Sequence, residues 1–339
     1  MNKEKQIRLK SVFKILIIFF FFFYSGMLHA ADNDLLNDYP HIILSNNILE
    51  ASIFLPDAEK GFYRASRFDW SGMIWQLTYK NHTYFTEIEI YKPHDPENTY
   101  HGISLAEGFL GGNAQRLKEV DPGETFMIIG VGNVEKPDDG KNYFFATQYK
   151  IVDPGKWTVS HGKDWVEFTH KISDTKGYGY IYVKRMELTK DTPQLVIQHS
   201  LKNTGTRNLN TSQFCHNFFC LDNDNIGKNY TMEFFFPAIF KQDLKPVTTI
   251  KDNKMIYMED VEGELLSTIE GYDDSVSHNH FIIKNKRTRA GVDIKGDFSV
   301  DFLFFYANKS SICPEVFVNI SLEPGETQKW ETIYTFFEE

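Results

Sequence analysis

The sequence predicts an all-β fold, a sandwich or barrel of many short strands. Apolar and polar residues alternate with period two, turn clusters separate the alternating segments at short intervals, and no amphipathic helical run of convincing length is present. The alternation is plain in Val166, Phe168, His170 and Ile172 against Glu167, Thr169 and Lys171. It recurs in Leu195, Ile197, His199 and Leu201 against Gln198, Ser200 and Lys202. A strand points successive side chains to opposite faces, so this pattern makes one buried and one wetter surface. Similar segments run over 177–188, 299–306, 316–322 and 330–337. They are punctuated by Asp153-Pro154-Gly155, Lys202-Asn203-Thr204-Gly205 and Glu323-Pro324-Gly325. The best helical candidate, 259–269, is short and contains Gly263, so helix is expected to be minor.

The chain has 339 residues, 42% of them hydrophobic and 24% charged, a globular balance that excludes a disordered chain, a collagen-like fibre and a multi-span membrane protein. No linker rich in Pro, Gly or Ser divides residues 31–339, which predicts a single domain of about 300 residues. Aromatic residues stand out at 15%, with 30 Phe and 17 Tyr. The three cysteines, Cys215, Cys220 and Cys313, offer neither an even count nor a CxxC pair, so packing rather than disulfides or zinc must hold the core.

Residues 1–30 read as a secretory signal. Lys3, Lys5, Arg8, Lys10 and Lys14 flank the apolar run from Ile15 to Tyr24, and the small residues Ala30 and Ala31 follow. A membrane anchor is the alternative, but the run is shorter than the ~20 residues of a span. The expectation is an exported protein, periplasmic or extracellular, with no stable membrane insertion after cleavage. The formal net charge is −10, and without residues 1–30 it becomes −14. Acidic residues spread along the whole chain exclude nucleic acid, which needs a basic stripe, and disfavour acidic polysaccharides. A neutral mono- or oligosaccharide fits better.

Four clusters carry candidate chemistry. The first is Arg64-Ala-Ser-Arg67-Phe68-Asp69-Trp70-Ser71-Gly72. Arg67, Asp69 and Trp70 are candidates for binding a sugar, since a guanidinium bonds hydroxyls in a planar fork and an indole offers an apolar face. If the segment is extended, Arg67 and Asp69 share one face and Phe68 and Trp70 the other. A buried Arg–Asp pair bracing a turn accounts for the cluster equally well. The second is the polar loop His94 to Phe109, in which His101 and Glu107 are candidate substrate contacts. A solvated surface loop explains His94, Asp95 and Glu97.

In the third cluster, His216 sits among Phe214, Cys215, Asn217, Phe218 and Phe219, either as a satisfied core histidine or as a site residue tuned by partial burial. In the fourth, Ser311-Ile-Cys313-Pro314-Glu315, a carboxylate opens an apolar strand. Shielded from water, Glu315 is a candidate general base; pointed outward, it is an ordinary strand-end charge. His278-Asn-His280 could begin a metal site but lacks a third ligand, and no GxSxG elbow exists, so no metal, cofactor or hydrolase triad is expected.

Taken together the clusters resemble the galactose mutarotase-like superfamily, which includes the aldose 1-epimerases. His216-Asn217-Phe218-Phe219, following a strand and an Asn-Thr-Gly turn, is similar to its histidine motif, and Cys313-Pro314-Glu315 to its C-terminal glutamate motif. Arg67 is similar in placement to its substrate-contacting arginine and His101-Gly102 to its first histidine, although the His-Gly-Gly signature is absent. The resemblance covers roughly residues 48–337. It implies a large antiparallel β-sandwich that binds a sugar, with His216 as general acid and Glu315 as general base in ring opening, and no cofactor. A non-catalytic carbohydrate-binding protein, or a lyase-like enzyme acting on a polysaccharide, would use the same fold.

Overall fold

The computed structural model describes residues 35–85 and 94–339; the segment 1–30 expected to be a signal lies outside them. Period-two alternation sets the layers. The strand Trp165–Ser173 buries Val166, Phe168, His170 and Ile172, and Gln194–Asn203 buries Leu195, Ile197, His199 and Leu201. Between them runs Gly179–Leu188, and the strand Thr327–Glu338 pairs on the far side of Gln194–Asn203, all antiparallel. These four belong to a ten-stranded sheet. A six-stranded sheet carries Leu265–Glu270, Phe302–Ala307, Ile312–Leu322, Leu209–Cys215 and Glu107–Phe109 in that spatial order.

One core cluster joins Val166, Phe168, Met186 and Ile197 of the larger sheet to Ile269, Leu303, Phe305 and Val316 of the smaller. The two sheets therefore pack face to face as a sandwich. A second cluster, around Trp330, Tyr180, Tyr182 and Ile320, extends the interior. Residues 40–339 form one compact unit.

The turn clusters fall where the sequence puts them. Glu323-Pro324-Gly325 joins Ile312–Leu322 to Thr327–Glu338, and Gly325 adopts φ 90°, a value that costs glycine little. The best helical candidate, 259–269, forms no helix. Residues 265–270 are a strand paired with Phe302–Ala307, because alternation there drives Ser267 and Ile269 into the core. A six-residue helix lies instead at Asn113–Lys118. No described helix is long and apolar enough to cross a membrane.

The six-stranded sheet is apolar on both faces. Leu303, Phe305 and Ala307 enter the core, while Phe302, Phe304 and Tyr306 of the same strand turn the other way and line a cavity. That second face carries the candidate site.

Candidate active site

Strand register brings the two central residues together across 99 positions of sequence. Leu209–Cys215 pairs antiparallel with Ile312–Leu322, matching Asn319 to Ser212 and Phe317 to Phe214. One further step of two sets Glu315 beside His216, on the same face as Phe214 and Phe317. The imidazole Nδ1 is 2.8 Å from Glu315 Oε1. Past the strand end the chain is pinned by His216 N–H to the Ala106 carbonyl (2.9 Å) and Phe218 N–H to the Ser104 carbonyl (2.8 Å). Asn217, at φ 50°, donates from its amide to the Pro314 carbonyl (2.8 Å) and accepts from the Tyr334 hydroxyl (2.9 Å).

Arg67 arrives on an irregular loop. Its Nη2 donates to His216 Nε2 at 3.0 Å, and the guanidinium lies over Phe68 at 4.5 Å and Phe145 at 4.7 Å. A guanidinium only donates, so Nε2 must accept and the ring proton resides on Nδ1, directed at Glu315. His216 is thus a neutral imidazole here. Burial pushes its pKa below the ordinary value; the attraction and hydrogen bond of Glu315 oppose that shift, and the Arg67 charge adds to it. Burial, reinforced by the nearby Glu315 carboxylate, raises the Cys313 thiol well above its usual range. Its Sγ rests 3.6 Å from both His216 Nδ1 and Glu315 Oε1.

These groups open into a cavity of about 450 Å³. Four of the seven residues singled out from the sequence line it: Arg67, His101, His216 and Glu315. His101 lines the cavity with its ring stacked against His94 at 5.3 Å. Its neighbour Gly102 is required, since a Cβ there would stand 2.3 Å from the Phe68 ring. His94, assigned from the sequence to a solvated loop, also lines the cavity and stacks on Phe62 at 4.1 Å. Glu97 is exposed, as expected of a surface loop.

Asp69, Trp70 and Glu107 lie elsewhere, which corrects their assignment as substrate contacts. Residues 61–73 form no strand, so the alternation assumed for Arg67 and Asp69 does not apply. Asp69 turns inward to Lys184 Nζ (2.7 Å) and to the Ser71 hydroxyl and N–H. Trp70 is buried, its indole N–H bonded to the Ala65 carbonyl at 2.9 Å. Glu107 pairs with Cys215, not Phe214, and so shares the interior face. There it contacts Lys184 at 2.7 Å and His199 at 2.9 Å. Burial pushes the Glu107 carboxyl up, but His199 and Lys184 outweigh burial and hold it at about 2.

The sequence reading passed over Cys313 as a partner of both catalytic candidates, and also the aromatic wall of Phe302, Phe304 and Phe317. The signal for the wall was Phe302-x-Phe304-x-Tyr306 alternating with Leu303, Phe305 and Ala307, a strand with no polar face. Among the described residues, His216, Cys313 and Glu315 also form a cluster of metal-ligating type, their ligand atoms within 4.8 Å of one another. The Arg67 charge beside that imidazole opposes a cation there. His278 and His280 do not converge: they pair with Asp273 and Asp293, each at 2.8 Å.

No family model and no curated protein matches the chain. Solved structures do. A putative aldose 1-epimerase from Escherichia coli K12 superposes with TM-score 0.55 at 11% identity, over 88% of this chain and 99% of that one. A galactose mutarotase-like protein from Lactobacillus casei ATCC 334 gives TM-score 0.54 at 13% identity, over 88% of this chain and 100% of that one. A GalM/aldose epimerase homologue from C. elegans gives TM-score 0.53 at 14% identity, over 88% and 98%. The fold is therefore the galactose mutarotase-like β-sandwich, shared nearly end to end with those chains. The resemblance seen in the motifs of residues 211–221 and 313–315 holds at the level of the fold.

Proposed function

We propose that the protein is an exported, aldose 1-epimerase-like enzyme that interconverts the anomers of a reducing sugar, with Glu315 as general base and His216 as general acid. The contact of His216 with Glu315 at 2.8 Å, on the floor of an aromatic cavity, carries the reading. Ring opening requires a proton taken from the anomeric hydroxyl and another given to the ring oxygen, two atoms on one carbon. An adjacent imidazole and carboxylate can serve both. Arg67 donates to His216 Nε2, and the imidazole is neutral. A sugar hydroxyl that draws Arg67 away frees Nε2 to take a proton from solvent, and the imidazolium, held by Glu315, then delivers it to the ring oxygen. Glu315 receives the anomeric proton, and reclosure on the other face reverses both transfers. The structural neighbours named as aldose 1-epimerases support the same reading through shared fold.

Polarimetry on freshly dissolved α-D-glucose and α-D-galactose tests it. The wild-type protein should speed equilibration, and the His216→Ala, Glu315→Gln double variant should lose about 10²-fold or more of that rate, the usual contribution of acid–base groups. Equal rates for the two proteins would refute the enzymatic reading.

The second reading, a carbohydrate-binding protein without turnover, draws on one observation: both nitrogens of His216 are already engaged. It requires that Glu315→Gln leave sugar affinity intact and that the wild type leave the mutarotation rate unchanged.

A further inference from the structure

The polar lining of the cavity includes His94, Tyr100, His101 and Glu264 besides the residues of the candidate site. Arg67, His216 and Glu315 form the reactive floor. Three of the lining hydroxyls already bond to the protein: Ser104 Oγ accepts from Ile74 N–H at 2.9 Å, Ser311 Oγ donates to Asn308 at 3.1 Å, and Tyr306 donates to Glu264 at 3.2 Å. Apolar surface makes up the larger share of the lining. Phe214 stacks on Phe317 at 5.0 Å, Phe317 meets Phe302 at 5.3 Å, and Phe302 continues to Phe304 at 6.5 Å, a continuous aromatic path outward from the His216 row. Leu266, on the neighbouring strand, completes this wall. Leu266 is 45% exposed and Phe302 38%, values far from those of a core side chain.

A bare hexose can lay its C–H face on these rings, but its hydroxyls find no partner on Leu266, Phe302 or Phe304. It presents a hydroxyl at almost every carbon, and each one desolvated without a partner costs free energy. Leu266, Phe302 and Phe304 lie on the outward face of a sheet, where a protein accepting only hydroxyls would gain from polar side chains. Being large, partly exposed and contiguous inside a cavity, they match an apolar group of similar size.

We propose that the sugar bound here is hydrophobically substituted, an O-acylated or O-alkylated reducing sugar, with C1 at His216 and Glu315 and the apolar substituent on the Leu266–Phe302–Phe304 wall. The substituent must sit on a carbon other than C1, because ring opening needs a free anomeric hydroxyl. This inference rests on the sugar reading above and narrows it to a substrate class.

Calorimetry with D-glucose, D-galactose and D-mannose, each beside its 6-O-hexanoyl ester, tests it, together with mutarotation of the same compounds. At least one ester should bind about tenfold or more tighter than its parent, the effect of burying roughly two methylene groups. In Leu266→Ser/Phe302→Ser that ratio should fall toward one. Leu266→Ser alone, at the more exposed position, gives the same direction if the double variant folds poorly. Esters that bind no tighter than parents whose mutarotation the protein accelerates would overturn this inference alone. An ester preference undiminished in both variants would overturn the placement on this wall. Failure of every sugar and ester to bind would overturn the sugar reading and this inference with it.

Discussion

Replacing Lys184 with Met tests whether the charges behind the cavity wall hold the Arg67 segment in place. Lys184 Nζ lies 2.7 Å from Asp69, 2.7 Å from Glu107 and 2.8 Å from the Ser71 carbonyl, with its side chain 1% exposed. Met keeps the stem and its packing but deletes the cation shared by two carboxylates. Asp69 is then left without a cation and Glu107 with His199 alone. Breaking a buried ion pair from one side costs about 3–5 kcal/mol, because the remaining charge stays desolvated. At roughly 2–4 °C per kcal/mol for a domain of about 150–250 residues, the melting temperature should fall by about 10 °C. Thermal and urea unfolding followed by circular dichroism measure it.

The pH dependence supplies a second check. The Glu107 carboxyl is lowered from 4.5 to about 2, so its contribution is complete above pH 4.5 and is lost as pH falls toward 2. Wild-type stability should decline through that window. The variant lacks much of that stabilisation to lose, so the difference between the proteins should hold from pH 7 to about pH 4.5 and narrow as pH falls from there toward 2. A variant within about 1 kcal/mol of wild type at pH 7, far below the cost of an uncompensated buried charge, or a difference that does not narrow, would refute the network as a clamp.

Two further changes bear on the site itself. Arg67→Ala should weaken sugar binding by about 1–2 kcal/mol, the loss of one charge-assisted hydrogen bond. It should also shift the alkaline limb of the pH–rate profile upward, since a like charge leaves the ring of the general acid His216; unchanged affinity and profile would remove Arg67 from the site. Asn217→Ala removes bonds to the Pro314 carbonyl and the Tyr334 hydroxyl, which should cost about 2 kcal/mol of stability and lower kcat more than it changes KM. Asn217→Gly accepts φ 50° without strain and should lose a comparable amount, separating the hydrogen bonds from backbone conformation; wild-type stability in both would refute the tether.

The layers were legible because alternation is a local property. Val166, Phe168, His170 and Ile172 face inward as their spacing requires, and the Pro-Gly turns end strands where they stand. Arg67, His216 and Glu315 were legible as unusual residues in dense local settings, but their meeting was not. It depends on how two strands 99 residues apart are paired, which no local pattern specifies. Glu107 was misplaced for the same reason. In a three-residue strand, one position separates the cavity face from the interior, and only the partner, Cys215, decides which applies. Asp69 was misplaced because the segment around it is irregular, so alternation had no authority there. Lys184 was readable in principle, as a lone cation in the buried row of Tyr180, Tyr182 and Met186, which demands a buried anion somewhere in the chain.

Register also explains why ion pairs sit directly behind the site. A slip of one residue between Leu209–Cys215 and Ile312–Leu322 would send Glu315 to the core and Val316 to the cavity, exchanging a base for a methyl surface. Apolar packing resists such a slip weakly here, because both faces of the Phe302–Ala307 and Ile312–Leu322 strands are rich in large apolar groups that either face would accept. Directional contacts must supply the specificity. Asn217 ties the end of the His216 strand to Pro314, the Phe219–Ile312 bridge fixes the next pairing, and the Glu107–Lys184 contact locks the strand that pairs with Cys215. Each bonds only in one register. Polar groups in an otherwise apolar interior thus select the arrangement in which His216 and Glu315 meet, and stability given up to bury those charges is offset by a site held in one geometry.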